Sequence, residues 1–476
     1  MRLMHWKRKL SALSLAVSLL PVASEVASAP LNFDQAWQIL QQVNDGLKAE
    51  MSAAERAQKM AQASDGLNLP KVDLNAQVTR LSDPLSMDLK EIQPFPSLVN
   101  NPQLQQAIAG LLQRHPDLIP VLDKLKGIPT ETDLSNQTVK TAGVNALWVI
   151  YSGGRISAAQ SAAYAQASEA QQQFALKRLQ AFSDLTRFYY GVTLAQNVYQ
   201  TRTQVAQALA QHLMHAQKLE QHGQIAKVER LSAQVAYDRA KVEAENARRE
   251  LEIAQLVLDE LLHQNDVQPS SPLVTKLTLP SLSTLVRDAL NANPAMSLLD
   301  AKDKQAQSLE KAERGRYLPN VAAFGNYNLY HDDSILGERA PDWMVGVGVS
   351  VPLVDNSGRN DLLAAAHMAR KEVGYRRAEL QRQLKVGVEQ AYRELEQAKT
   401  EYDSLQSSQA LAKENFLLRS KAFEQGLATS LDVVDARMTE AAIDTQRLAA
   451  SYRMTNALAK LLTLTGQPDA FNRYQR

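Results

Sequence analysis

Two stretches of this chain, Arg155 to Gly223 and Arg359 to Gly426, contain no proline, and after each closing glycine a second helical pattern runs back. Proline breaks a helix interior because it lacks an amide donor and clashes with the preceding turn. Each stretch is therefore free to form one continuous helix of roughly 100 Å at the usual rise. Apolar residues recur at spacings of three and four: Phe182, Leu185, Tyr189, Val192 and Tyr199 in the first, Val388, Tyr392, Leu395, Tyr402 and Leu405 in the second. That is the pattern of helices packed along a seam. The returning helices reach about Leu262 and Leu464, so the sequence predicts long antiparallel hairpins over 155–264 and 359–464. Ala158, Ala159, Ala162, Ala163 and Ala365 leave room for close helix approach.

The hairpins are copies of one unit. The corners Lys218 to Gln234 (KLEQHGQIAKVERLSAQ) and Lys421 to Arg437 (KAFEQGLATSLDVVDAR) share the lysine before the glycine and an alanine after it. Leu31 to Gln77 aligns without gaps to Pro280 to Asn326, matching Asn44 to Asn293 and Leu69-Pro70 to Leu318-Pro319. Further on, Ser152-Gly153-Gly154-Arg155 meets Asn356-Ser357-Gly358-Arg359. The first copy carries an insertion, 82–140, punctuated by prolines. The expected organisation is a first repeat over 30–266, a second over 280–466 and a tail over 467–476.

Each copy opens with a helix expected to end at its Leu-Pro pair, because the residue before a proline is pushed towards extended backbone. Alternation then replaces the helical period, as in Val72, Leu74, Ala76 and Val78, or in Val345, Val347, Val349 and Val351 interleaved with Gly346, Gly348 and Ser350. Strands are expected at about 72–81, 143–151, 321–330 and 344–354, each about the length that crosses a bilayer when tilted. Four strands cannot close a barrel around a lumen, and open sheet edges are not tolerated in hydrocarbon, so several chains must pool their strands.

The first residues carry Arg2, Lys7, Arg8 and Lys9, then an apolar run from Leu10 to Leu20 and Ala27-Ser28-Ala29. This is the layout of a secretory signal peptide over 1–29. Cysteine is absent, which excludes disulfides, thiolate metal sites and a lipid-bearing N-terminal cysteine. The net charge of +1 gives no reason to expect a nucleic-acid partner.

These features together resemble the TolC-type outer-membrane efflux proteins. The resemblance rests on the duplicated unit, Asn293-Pro294, the Leu-Pro before each outgoing strand, the Gly-Arg after each returning strand, and Gly-x(5)-Asp-x-x-Asp-Ala from Gly426 to Ala436. It implies a membrane α+β protein: a trimeric outer-membrane β-barrel, four strands per chain and twelve in total, continued by a long α-helical coiled-coil periplasmic tunnel. It also implies a homotrimer in outer-membrane lipid, docked through a periplasmic adaptor (a membrane fusion protein) to an inner-membrane pump, for efflux or type I secretion. The sequence departs from the family in its first-loop insertion and in having Trp148 to Tyr151 where a proline is usual.

No nucleophile-base pair, phosphate loop or metal cluster stands out, so neither an enzyme nor a cofactor is expected. His212, His215 and His222 read as exposed polar positions. Asp432 and Asp435 share a helix face. Their spacing alone slightly favours helix-start chemistry, with Ser430 as cap. The resemblance implies instead that they line the periplasmic entrance constriction, although Phe423 and Ala428 stand where the best-known family member has a tyrosine and an arginine that help lock the entrance. Glu229 and Ser232 hold the matching places in the first copy. The exposed corners, Gly223 and Gln224 with Gly426 and Leu427, are the expected adaptor contacts. A periplasmic coiled-coil scaffold or adaptor without a pore is the alternative reading.

Overall fold

The computed structural model describes residues 30–88, 101–116, 119–120 and 131–474; the segment 1–29 lies outside them, as does part of the insertion. In chain order the elements are α1 (Phe33–Val43), α2 (Asp45–Ser64), β1 (Lys71–Arg80), β2 (Ser86–Asp88), α3 (Pro102–Arg114), β3 (Glu131–Asp133), β4 (Thr138–Tyr151), α4 (Arg155–Gln221) and α5 (Lys227–Leu262). They continue with α6 (Leu282–Ala292), α7 (Pro294–Gly315), β5 (Asn320–Tyr330), α8 (Ile335–Arg339), β6 (Trp343–Ser350), α9 (Arg359–Glu424) and α10 (Ser430–Leu464). The helices α4 and α9, of 67 and 66 residues, are unbroken.

The opening helix of each repeat differs from expectation by being split in two. In the first repeat the break falls at Asn44, whose extended backbone ends α1. In the second it falls at Asn293, whose side chain accepts the Ala295 amide and whose neighbour Pro294 takes the first position of α7. Asparagine competes with the helix for its own backbone, and proline is favoured where an amide has no partner.

Two compact units divide the chain: one comprises Met1–Asp45, Leu179–Leu282 and Glu389–Arg476, the other Gly46–Arg178 and Ser283–Val388. The second unit holds a four-stranded antiparallel sheet in the order β1-β4-β5-β6. β4 begins at Thr138, earlier than alternation suggested, because Thr138 to Lys140 pair with Val78 to Arg80. β6 stops at Ser350, just short of Pro352, which has no amide to donate. The side chains of Val72, Leu74, Val78, Val345, Val347 and Val349 stay exposed on the two edge strands.

At the first junction the glycine preceding the Gly154-Arg155 pair has a steric cause. Gly153 has φ +64°, and a Cβ there would stand 2.4 Å from the Gly315 carbonyl oxygen; one on Gly315 would stand 2.5 Å from that of Gly153. The strand end and the end of α7 thus touch backbone to backbone. At the second junction Arg359 donates to the Pro352 and Leu353 carbonyls and lies over the Tyr317 ring.

The first unit is organised by an aromatic cluster of Phe33, Trp37, Phe182, Tyr189, Tyr190 and Phe471. The Tyr189 hydroxyl donates to the Leu31 carbonyl at 2.6 Å and accepts the amides of Ser270 and Ser271 at 3.0 and 2.9 Å. This pins the linker between the repeats to the start of the first repeat. The described part of 467–476 forms a 3-10 turn, Pro468–Tyr474, with Phe471 buried in that cluster.

Gly315→Ala is expected to lower the melting temperature of the detergent-solubilised protein, since overpacking costs roughly 1–3 kcal/mol. Gly374→Ala, in α9 with nothing within 4 Å of its Cβ position, is the control and should leave the melting temperature equal or raised.

Candidate functional site at the hairpin corners

Both long helices end in the same turn. Gly223 and Gly426 have φ of +71° and +75°, with open space where a Cβ would stand, so the backbone conformation alone calls for glycine. The Gln224 amide reaches back to the Leu219 carbonyl at 2.8 Å, and the Leu427 amide to that of Ala422 at 2.9 Å. These are Schellman closures, which satisfy carbonyls the helix end leaves free. Gln224 and Leu427 are exposed, Leu427 to 78%.

The two copies then diverge. At the second corner the cap of α10 is Thr429, not Ser430 as expected. The Thr429 hydroxyl accepts the Asp432 amide, and the Asp432 carboxylate accepts the Thr429 amide, a reciprocal capping box. At the first corner the cap position of α5 is Ala226, which has no side-chain oxygen. Glu229, three residues on, cannot close such a box. Its carboxylate crosses instead to the other hairpin and accepts the Ser430 amide at 2.7 Å.

Ser430 is fully buried, and its hydroxyl pairs with His212 Nε2 at 2.7 Å. The His212 ring packs on Phe423 at 4.5 Å, beside a small apolar cluster of Leu213, Ala216, Ala233, Phe423 and Val433. His212 is thus a core residue tying the two hairpins together, contrary to the exposed reading. Burial, with the nearby His215, pushes its pKa down to about 4 against the pull of Glu229. The signal was in the sequence: Val205, Leu209, His212 and Ala216 follow helical spacing, and all are buried. His215 is exposed beside Glu424 at 3.6 Å, and His222 is exposed.

The two aspartates, placed together by spacing, meet different surroundings. Asp432 belongs to the capping box and also receives Arg419 Nη1 at 3.2 Å. Thr429 and Arg419 together hold its carboxyl below the usual range. Asp435 is exposed and borders a groove of about 650 Å³ lined mainly by Val205, Leu209, Val228, Leu231, Val235, Leu431, Val434 and Met438, with Arg202 and Arg239 at its margin. Among the described residues no three acids or histidines are placed to hold a metal ion, and no helix is long and apolar enough to cross a membrane.

Exposed apolar strands in a short antiparallel sheet, joined to long glycine-cornered helical hairpins, define a class: outer-membrane channels with a helical extension. The family model for outer membrane efflux proteins matches residues 37–263 and 285–467, and the chain belongs to that family. Solved structures agree in fold. VceC from Vibrio cholerae is 13% identical with a TM-score of 0.71, the match covering 91% of this chain and 96% of that one. The CmeC outer membrane channel from Campylobacter jejuni is 15% identical with a TM-score of 0.70, covering 96% and 94%. The MtrE outer membrane channel from Neisseria gonorrhoeae, solved in an open state, is 16% identical with a TM-score of 0.70, covering 92% and 89%. No curated protein matches the chain in sequence. The protein is an outer-membrane channel of efflux systems, set in the outer membrane and extending into the periplasm, and its family and fold are those of channels rather than enzymes.

Because the folded chain holds His212 at about 4 against an ordinary 6.5, the unfolded chain takes up a proton first as pH falls, and stability drops between those values. The melting temperature of wild type should therefore fall more steeply from pH 6.5 to 4 than that of His212→Gln, which keeps a hydrogen-bonding group without the titration.

Proposed function

We propose that three copies of this chain pool their sheets into one twelve-strand barrel, that the hairpin corners form its periplasmic entrance, and that the whole is a passive conduit. The observation that carries this reading is the pair of unpaired edge strands, β1 and β6, whose apolar side chains stay exposed. In hydrocarbon such edges require further strands, and closure into a barrel is the arrangement that removes them. A pore-free scaffold has no use for apolar strands of this kind.

At the entrance, Gly223, Gln224, Gly426 and Leu427 are the surface offered to a periplasmic adaptor, which connects the channel to an inner-membrane pump in a tripartite efflux or type I secretion assembly. Their support is exposure and shape: Gly223 and Gly426 carry no side chain, which lets a partner approach the backbone, and Leu427 offers an exposed apolar side chain beside them. Asp432 and Asp435 line the constriction behind the corners. The open state recorded for MtrE supports an entrance that changes width. Across α4, α5, α9 and α10 the hairpins are joined by the contacts of His212, Glu229 and Ser430, which hold the wall of that entrance together.

Two measurements test the assignment. Chemical cross-linking of the protein extracted from outer membranes should give a ladder ending at three copies, and a ladder ending at one or two would remove the barrel. Leu427→Asp should leave that ladder intact while abolishing co-purification of the adaptor and raising drug sensitivity of the host. If co-purification and export persist, the docking surface lies elsewhere.

A further inference from the structure

We propose that Arg419 sets the ion selectivity of the entrance by neutralising Asp432, which leaves Asp435 as the aspartate that supplies fixed negative charge to the constriction. The inference rests on placing the constriction at the second corner, as above.

The two aspartates are one helical turn apart but electrostatically unlike. Asp432 Oδ2 receives both the amide and the hydroxyl of Thr429, at 2.9 and 2.7 Å, while Oδ1 receives Arg419 at 3.2 Å. The capping box fixes the carboxylate, so the guanidinium has a stationary partner. Arg419 comes from α9, on the other arm of the same hairpin, and reaches across it. The Asp435 carboxylate, by contrast, takes part in no hydrogen bond or ion pair among the described residues; the Thr439 hydroxyl bonds to this residue's backbone carbonyl instead.

A permeating ion more than a few ångströms away meets Asp432 and Arg419 as a dipole, whose field falls off faster than that of a lone charge and is screened within a Debye length. Asp435 acts as a full charge, and symmetry-related copies would add. The pair is half-exposed, at 50% for Arg419 and 37% for Asp432, and exposed pairs contribute little to stability. Asp432 keeps both hydrogen bonds from Thr429 without Arg419. Replacing the arginine therefore changes the field at the mouth without removing the helix cap, which marks Arg419 as a selectivity residue rather than a structural one.

The test uses the purified full-length protein in planar bilayers under a KCl gradient, reading the potassium-to-chloride permeability ratio. Asp435→Asn should lower the ratio severalfold. Arg419→Gln should raise it severalfold by exposing a second acidic ring, and Asp432→Asn should lower it by leaving the arginine unbalanced. The decisive variant is the double, Arg419→Gln with Asp432→Asn, which should return the ratio to that of wild type. Contributions from Arg202, Arg239 and Glu243, which line the same groove as Asp435, are the same in all four variants. An unchanged ratio in Arg419→Gln, or a double variant equal to Asp432→Asn alone, overturns the role of Arg419 while leaving the constriction standing. An unchanged ratio in Asp435→Asn overturns the constriction itself, and the inference with it.

Discussion

A β-sheet edge in hydrocarbon presents a row of amides and carbonyls that no water can satisfy, at several kcal/mol per group. β1 and β6 are two such edges, and the rest of the chain is consistent with that single fact. The strands face outward with valine and leucine, so burial within one chain is not what they are built for. Much of what lies between them in sequence is long helix, α4 and α5 above all, whose backbone is satisfied internally. Within the four-stranded sheet, the outer edges of β1 and β6 have no neighbouring strand among the described residues. The requirement for further strands is concentrated there.

The junctions between strand and helix show how little slack this leaves. Gly153 and Gly315 approach until each blocks a Cβ on the other, so the first strand pair and the helix beside it are seated by backbone contact. Arg359 does the equivalent work at the second junction with its guanidinium, over Tyr317. One repeat thus seats its sheet by removing side chains and the other by adding one. The first contact falls on Gly153, one residue before its Gly-Arg pair, and the second on Arg359, within its own pair.

Much of this was legible in the sequence because it depends on local rules. Absence of proline and three-and-four spacing marked α4 and α9, the glycines marked both corners, and alternation marked the strands. The split at Asn44 was less visible, since one asparagine weakens a helix without ending it unless tertiary structure turns the chain there; at Asn293 the following Pro294 was the signal. At the corner, Thr429 and Ser430 are both good caps, and only the partner distinguishes them: Ser430 is drawn inward by His212, so the threonine is left to cap. His212 itself could have been placed by its spacing with Val205, Leu209 and Ala216. Arg419 could not, because it meets Asp432 only when the hairpin closes.

The cross-hairpin bond from Glu229 to the Ser430 amide bears on the history of the duplication. An ancestor with two identical halves would have carried the same residues at both corners. With threonine and aspartate at each, as at 429 and 432, both boxes would close on themselves and nothing polar would pass between hairpins. With alanine and glutamate at each, as at 226 and 229, neither helix start would be capped locally. Here one half caps its own helix and the other extends its carboxylate to its neighbour. The halves are not interchangeable: a chain assembled from two copies of the second would spend both carboxylates on their own caps and lose the Glu229 join.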